Sequence, residues 1–99
     1  MSGTLTNPQI RKLKAMAQRM EPSLKVGKHG LSDAFIKSLD ESLARHELVK
    51  VKFDEFKEEK KTLAPQLAER TSSHLIMRVG NVAVLYREQP DPARRKIQF

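Results

Sequence analysis

Apolar residues recur along this chain in two different periods, and the periods mark its elements. Ile10, Leu13, Ala17 and Met20 are spaced by three and four, which aligns them in one stripe of an α-helix. Thr6-Asn7-Pro8-Gln9 reads as the start of that helix, with Thr6 as N-cap and Gln9 as its capping-box partner. Pro22 stops it. Arg11, Lys12, Lys14, Gln18 and Arg19 fall off the stripe, so the exposed side of the helix is predicted to be strongly basic. A second helix is predicted from Ser32, a good N-cap, with Asp33 near its positive end. Ile36, Leu39 and Leu43 form its buried stripe, Phe35 lies beside it, and the helix ends near Arg45-His46.

The period then changes to two. In "ELVKVKF", Glu47 to Phe53, the residues Val49, Val51 and Phe53 share one face and Lys50 and Lys52 the other. That pattern predicts a strand on an open sheet with one solvated side. Ser23–Val26 is a shorter extended piece. His74–Val79 and Val82–Arg87 are two β-prone runs separated by Gly80-Asn81, a two-residue hairpin signal. Between the strands, Asp54 to Thr71 is charged, then apolar, and predicted helical, with Pro65 as the difficulty. A helix capped by Thr62 holds Pro65 in its first turn, whereas one starting near Glu58 must accommodate it internally. The last stretch, "REQPDPARRKIQF", carries two prolines and a basic cluster, and residues 89–99 are expected to form a mobile tail.

The order is α-β-α-β-α-β-β in a single domain over residues 5–88. Two β-α-β crossovers predict parallel neighbouring strands, and the final hairpin adds an antiparallel one. The expected fold is α/β, a small four-stranded mixed sheet with helices packed on it.

Charge sharpens this picture. Nineteen Lys and Arg against twelve Asp and Glu give a net charge of +7 over 99 residues. Residues 1–53 hold ten basic and five acidic residues, and residues 54–99 hold nine and seven. The excess therefore belongs to the folded first half rather than to the tail. A small basic domain is drawn to polyanions such as RNA, DNA or an anionic membrane surface. Cysteine is absent, which removes disulfides and thiolate metal sites. The N-terminus lacks the apolar core of a signal peptide, and no apolar run approaches membrane-spanning length. A cytoplasmic protein without membrane attachment is expected.

The candidate chemistry centres on "KVGKHGLSDAF". Gly27 and Gly30 bracket Lys28 and His29 just before a capped helix. Unpaired N–H groups and the positive dipole end of such a helix attract an anion, and a G-x-x-G loop in the KH module clamps nucleotide backbone. The same loop could be a plain strand-to-helix turn. Lys50, Lys52 and the basic side of the first helix could meet phosphates or be solvated. His29 could stack on a base, bond a phosphate, or be an exposed loop residue, while His46 and His74 read as structural or incidental. Three isolated histidines without ligand spacing assemble no metal site. A G-x-S-x-G motif, a cysteine nucleophile and a P-loop are all missing, and Asp54, Glu55, Glu58 and Glu59 read as a solvated charge run. Neither an enzyme, nor a cofactor, nor a small-molecule substrate is expected. The few aromatics do not support a stacking platform on the sheet, so binding would rest on phosphates and depend on salt.

Taken together, "LTNPQIRKLKAMAQRMEPSLKVG", "VGKHGLSDAF", "HELVKVKF" and "GNVAVLYR" resemble, in order, the CRM domain (chloroplast RNA splicing and ribosome maturation), and within it the stand-alone bacterial YhbY-like proteins. The resemblance implies a fold like the C-terminal domain of translation initiation factor three. It implies RNA binding and, for the bacterial single-domain members, association with precursors of the large ribosomal subunit; a monomer is expected. Carried onto this sequence, Gly27, Lys28, His29 and Gly30 match the family loop, Lys50 and Lys52 its basic strand, and Arg87 its terminal hairpin. Arg11, Lys12 and Lys14 extend the expected RNA surface. A basic protein-interaction module is the rival reading, and a small phosphate-handling enzyme is a third, set aside by the missing catalytic groups.

Overall fold

A computed structural model describes residues 4–99 of the protein. Helix α1 (Asn7–Gln18) opens with the predicted capping box. Thr6 Oγ1 accepts from the Gln9 N–H at 3.3 Å, and Gln9 Oε1 accepts from the Thr6 N–H at 2.9 Å. The chain continues through β1 (Leu24–Val26), α2 (Asp33–His46) and β2 (Leu48–Phe53). After a single 3-10 turn at Lys57–Glu59 come α3 (Lys60–Arg70), β3 (His74–Val79) and β4 (Val82–Tyr86). Ser32 caps α2 as expected, its Oγ accepting from the Phe35 N–H. No helix among the described residues is long and apolar enough to cross a membrane.

The strands form one four-stranded mixed sheet in the order β1-β2-β4-β3. Strand β1 pairs parallel with β2, and β4 pairs antiparallel with both β2 and β3. The predicted second crossover therefore does not make β3 a neighbour of β2, because β4 lies between them. Burial explains the insertion. "VAVLY" is covered on both faces from Ala83 onward, as befits a central strand, while β3 is only partly buried and ends at exposed Val79. The hairpin at Gly80-Asn81 turns the more apolar strand inward.

Both faces of the sheet carry a core. Val26, Val49, Val51, Phe53, Ala83 and Leu85 pack against Leu39 and Leu43 of α2 and Ala64 and Leu67 of α3. On the opposite face, Leu48, Ile76, Val84 and Tyr86 meet Leu13 and Ala17 of α1. The solvated sheet side expected from the lysine alternation is thus corrected. Along that side of β2, Leu48 is buried, Lys50 half-buried and Lys52 exposed, because α1 covers only the first part of the strand. Lys50 Nζ donates to the carbonyls of Ala17 and Met20, both at 3.0 Å. It closes the C-terminal end of α1, whose last carbonyls have no helical partner.

Helix α3 settles the two readings of Pro65. The helix begins at Lys60 and holds Pro65 in its interior. The carbonyl of Lys61 loses its helical donor, but Lys61, Thr62 and Pro65 are all exposed, so water can satisfy it.

Residues 89–99 are packed on the domain rather than free, which corrects the expected tail. Glu47 is 1% exposed, and its carboxylate accepts from the backbone N–H groups of Gln89 (2.8 Å), Lys96 (2.7 Å) and Ile97 (3.0 Å). Ile97 is buried in the α1-side core. Phe99 sets its ring edge against Tyr86, 6.0 Å between centroids.

Two expectations for stability follow. Lys50→Met removes two charge-assisted hydrogen bonds and should cost about 1–3 kcal/mol, whereas Lys52→Met should stay within about 0.5 kcal/mol. Urea unfolding of both variants checks this, and equal losses would contradict the clamp at the end of α1. The Tyr86 hydroxyl is pushed up to about 12, by burial first and then by the Glu47 and Glu88 carboxylates. It finds no hydrogen-bond partner among the described residues. Because the folded state holds this proton more tightly than an unfolded tyrosine near pH 10, the contribution is complete below pH ~10 and disappears towards pH ~12. Tyr86→Phe should therefore fold at least as well at neutral pH and lose less stability between pH ~10 and ~12. Parallel alkaline melting curves would refute the shift.

Candidate nucleic-acid interface

The G-x-x-G loop connects the end of β1 to the capped start of α2, and neighbouring elements hold it at both ends. The Val26 carbonyl, last in β1, accepts from the N–H groups of Asp54 and Glu55, each at 3.1 Å. Within the loop, the Gly30 N–H donates to the Gly27 carbonyl at 3.0 Å. On the exit side, Arg70 Nη1 donates to the Leu31 carbonyl at 3.1 Å, and Arg70 Nη2 lies 3.5 Å from Asp33. Lys28 and His29, between these anchors, are exposed.

The two glycines differ. Gly30 has φ +62, and a Cβ there would sit 3.3 Å from the ring of Phe56, so both backbone and packing require glycine. Gly27 lies outside the left-handed region, and a Cβ there would meet nothing within 4 Å. The fold itself does not require glycine at 27. Phe56 sits at φ 56 and covers Gly30 while remaining 41% exposed, a role that sequence alone does not assign to it. The available signal was a single aromatic inside the charged run "DEFKEE".

The sheet extends the loop's charge. Lys25 and Lys52 are register partners on β1 and β2, and both are exposed. Lys25 escaped the sequence reading because a three-residue strand is too short to display alternation. Lys52 keeps only a loose ion pair to Asp54, at 3.8 Å. Arg11 and Lys14 are exposed on α1. Lys12 is exposed too, but it donates to the Gln98 carbonyl and lies 5.8 Å from the centroid of the Phe99 ring. On the other flank of Lys28, a depression is bordered by four carboxylates, Asp54, Glu55, Glu58 and Glu59, together with Phe56 and Lys57. The loop therefore lies between a cationic surface and one with a net acidic charge.

Two expected contact residues are engaged inside the fold. Lys50 closes α1, as described. Arg87 Nη1 donates to Asp40 Oδ1 (2.6 Å) and to the Thr71 carbonyl (2.8 Å), and Nη2 donates to the Asp40 carbonyl (3.0 Å). It ties the exit of β4 to α2 and to the end of α3. Sequence alone counts such cations as surface charge, because their acceptors are distant carbonyls. His74 stacks on Tyr86, and no group of three metal-ligating side chains occurs among the described residues. What the free groups offer is a row of ammonium ions beside a loop whose backbone is open on the Gly27 side. That arrangement suits oxyanions presented along a chain.

The comparisons with known proteins agree on one family. The chain is 36% identical over 88 residues to the Bacillus subtilis (strain 168) protein named "Probable RNA-binding protein YqeI", covering 88% of this chain and 92% of that one. It is 30% identical over 89 residues to the Pseudomonas aeruginosa protein named "Probable RNA-binding protein PA4753", covering 89% and 86%. A solution structure of the Staphylococcus aureus protein SAV1595 superposes with a TM-score of 0.76 at 34% identity, covering 96% of this chain and 100% of that chain. The model of the CRS1 / YhbY (CRM) domain matches residues 5–87, so the segment from the α1 cap to Arg87 belongs to the CRS1 / YhbY (CRM) domain family.

Proposed function

We propose that the protein binds RNA through its phosphate backbone, and that the RNA is a precursor of the large ribosomal subunit. The observation that carries the binding mode is the asymmetry of the two loop glycines. Gly30 is demanded by the fold, whereas Gly27 is demanded by nothing inside it and so leaves room for another backbone to approach. Phosphates would lie against Gly27, Lys28 and His29, with Lys25 and Lys52 along the strand edge and Arg11 and Lys14 on α1 continuing the path. The names of the relatives support RNA as the polyanion. The large-subunit target rests on the resemblance to the stand-alone bacterial YhbY-like proteins. The reading is non-catalytic, in keeping with relatives named as RNA-binding proteins.

Sedimentation of the tagged protein through a gradient of cell lysate, with and without RNase, tests the target. Co-migration with large-subunit precursors that RNase abolishes is expected, together with enrichment of large-subunit rRNA among the bound sequences. Protein that remains at the top of the gradient in low salt, without enriched RNA, would defeat the reading. Association that survives nuclease and high salt would point to a protein partner instead.

The glycines give a sharper test of the binding mode. Gly27→Ala should leave stability unchanged or raise it by up to about 1 kcal/mol while weakening RNA binding several-fold. Gly30→Ala should destabilise the fold by about 1–2 kcal/mol. Melting curves and filter binding on the same preparations separate the two effects. Wild-type affinity in a well-folded Gly27→Ala protein would remove the loop from the interface. Lys28→Asp should weaken binding to all RNA sequences alike and flatten its dependence on log[salt] by about one unit or more.

A further inference from the structure

The docked C-terminal segment creates a second cationic surface at the end of the sheet opposite the loop. Arg45 from the last turn of α2 and Arg94 and Lys96 from the segment border one open depression, together with Glu41, Ala44 and Gln89. All three cations are exposed, and none of them forms an ion pair among the described residues. Their neighbour Arg95 does, with Glu88 at 3.4 Å, and its Nε also donates to the Gln89 carbonyl. Arg45 by itself would be accounted for as a charge complementing the end of α2. Arg94 and Lys96 come from outside the helix and are fixed there by other means. The Lys96 N–H is held by Glu47, the Gln89 side chain donates to the Ala44 carbonyl at 2.8 Å, and Arg94 belongs to a turn capped by Asp91. The backbone is held and the ammonium and guanidinium heads are left free.

We infer that Arg45, Arg94 and Lys96 form a second phosphate-binding surface, which engages a duplex RNA segment at the same time as the G-x-x-G loop engages its own stretch of backbone. The inference rests on the RNA-binding reading above. The chemistry favours nucleic acid over a protein partner because the depression has no apolar centre. The exposed large hydrophobic residues, Phe56, Val79 and Phe99, all lie outside its lining, and stable protein interfaces are built around buried apolar cores. The spacing requires an extended ligand. Strand β2 runs from the Glu47 end to the loop end over six residues, which separates the two surfaces by roughly 17 Å. A G-x-x-G loop clamps about four nucleotides, so a ligand on both surfaces extends beyond that stretch, and a rigid duplex holds its phosphates across the spacing at little ordering cost.

The test uses the full chain and a duplex RNA of about 20 base pairs, long enough to cover the ~16 pairs a shape-reading domain spans. Three proteins are compared with wild type: R45Q/R94Q/K96Q, Lys28→Gln, and their combination. The triple substitution should lower melting only slightly, through the loss of Arg45 at the end of α2, since the three side chains are exposed and Lys96 contacts Glu47 through its backbone. It should weaken duplex binding about tenfold at moderate salt and lower the slope of log K against log[salt] by about two to three. Its effect should add to that of Lys28→Gln, as expected for separated contacts. Wild-type affinity and slope in the triple variant, with weakened binding in Lys28→Gln, would overturn the second surface and leave the loop reading standing. Weakened binding in the triple variant alone would support the surface while removing the loop. A wild-type protein that fails to bind the duplex, while still binding the RNA recovered from the lysate gradient, would overturn the second surface and leave the loop reading standing.

Discussion

One buried carboxylate organises the end of the molecule away from the loop. Glu47 occupies the junction between α2 and β2 at φ 65, a region in which a side-chain-bearing residue is strained by about 1–2 kcal/mol. Glycine would relieve that strain, but glycine has no carboxylate. Here three backbone N–H groups from the C-terminal segment converge on the two oxygens, and charge-assisted bonds of this kind are the strong ones. The backbone of the same residue receives the Arg87 N–H on its carbonyl and donates its own N–H to Leu43. A single position thereby joins the end of α2, the start of β2, the exit of β4 and the final residues. The burial of Tyr86 and the seating of Ile97 follow from it.

The loop end is built by the reverse arrangement. Backbone amides, a guanidinium and an aromatic ring hold the chain from outside, and the side chains of Lys28 and His29 are left unoccupied by internal structure. At the Glu47 end a side chain fixes backbone; at the loop end the surroundings fix backbone so that side chains stay available. Holding the loop before any ligand arrives reduces the ordering cost of binding. It also explains why a ring as large as Phe56 tolerates left-handed backbone and partial exposure, since it fills the space that Gly30 leaves.

Local rules were legible in the sequence, and long-range covering was not. Thr6 and Ser32 announce their helices because a cap is a matter of three neighbouring residues. The G-x-x-G spacing and the Gly80-Asn81 turn are equally local. The strand "LVKVKF" reveals which residues share a face, but alternation cannot say what lies over that face. Lys50 and Lys52 look alike in sequence and differ because α1 ends above one and not the other. Strand β4 carried a usable signal, since "VAVLY" lacks the polar alternation of a half-exposed strand, and that argued for a central place. The C-terminal segment misled because its prolines and cations outnumber Ile97 and Phe99. Its acceptor, Glu47, lies about fifty positions earlier in an element boundary where glutamate looks unremarkable.

The same distinction decides how much of the net charge is available to a polyanion. Lys50 and Arg87 are spent on carbonyls and on Asp40, Arg70 on Leu31 and Asp33, Arg95 on Gln89 and Glu88, and Lys12 on the C-terminal segment. The cations that stay free are not spread evenly. Those beside the loop lie towards β1, β2 and α1, while the segment 54–59, ahead of α3, presents four carboxylates and Lys57 on the other flank of Lys28. On the proposed reading, this boundary gives the loop a direction. An RNA strand crossing towards the segment 54–59 would meet mostly like charge at contact distance, where repulsion is least screened. A strand leaving towards Lys25 and Lys52 meets a net attraction, with Asp54 3.8 Å from Lys52. The acidic run from Asp54 to Glu59, which sequence alone marks as an ordinary solvated face, then acts by exclusion and sets the path of the backbone across the sheet edge.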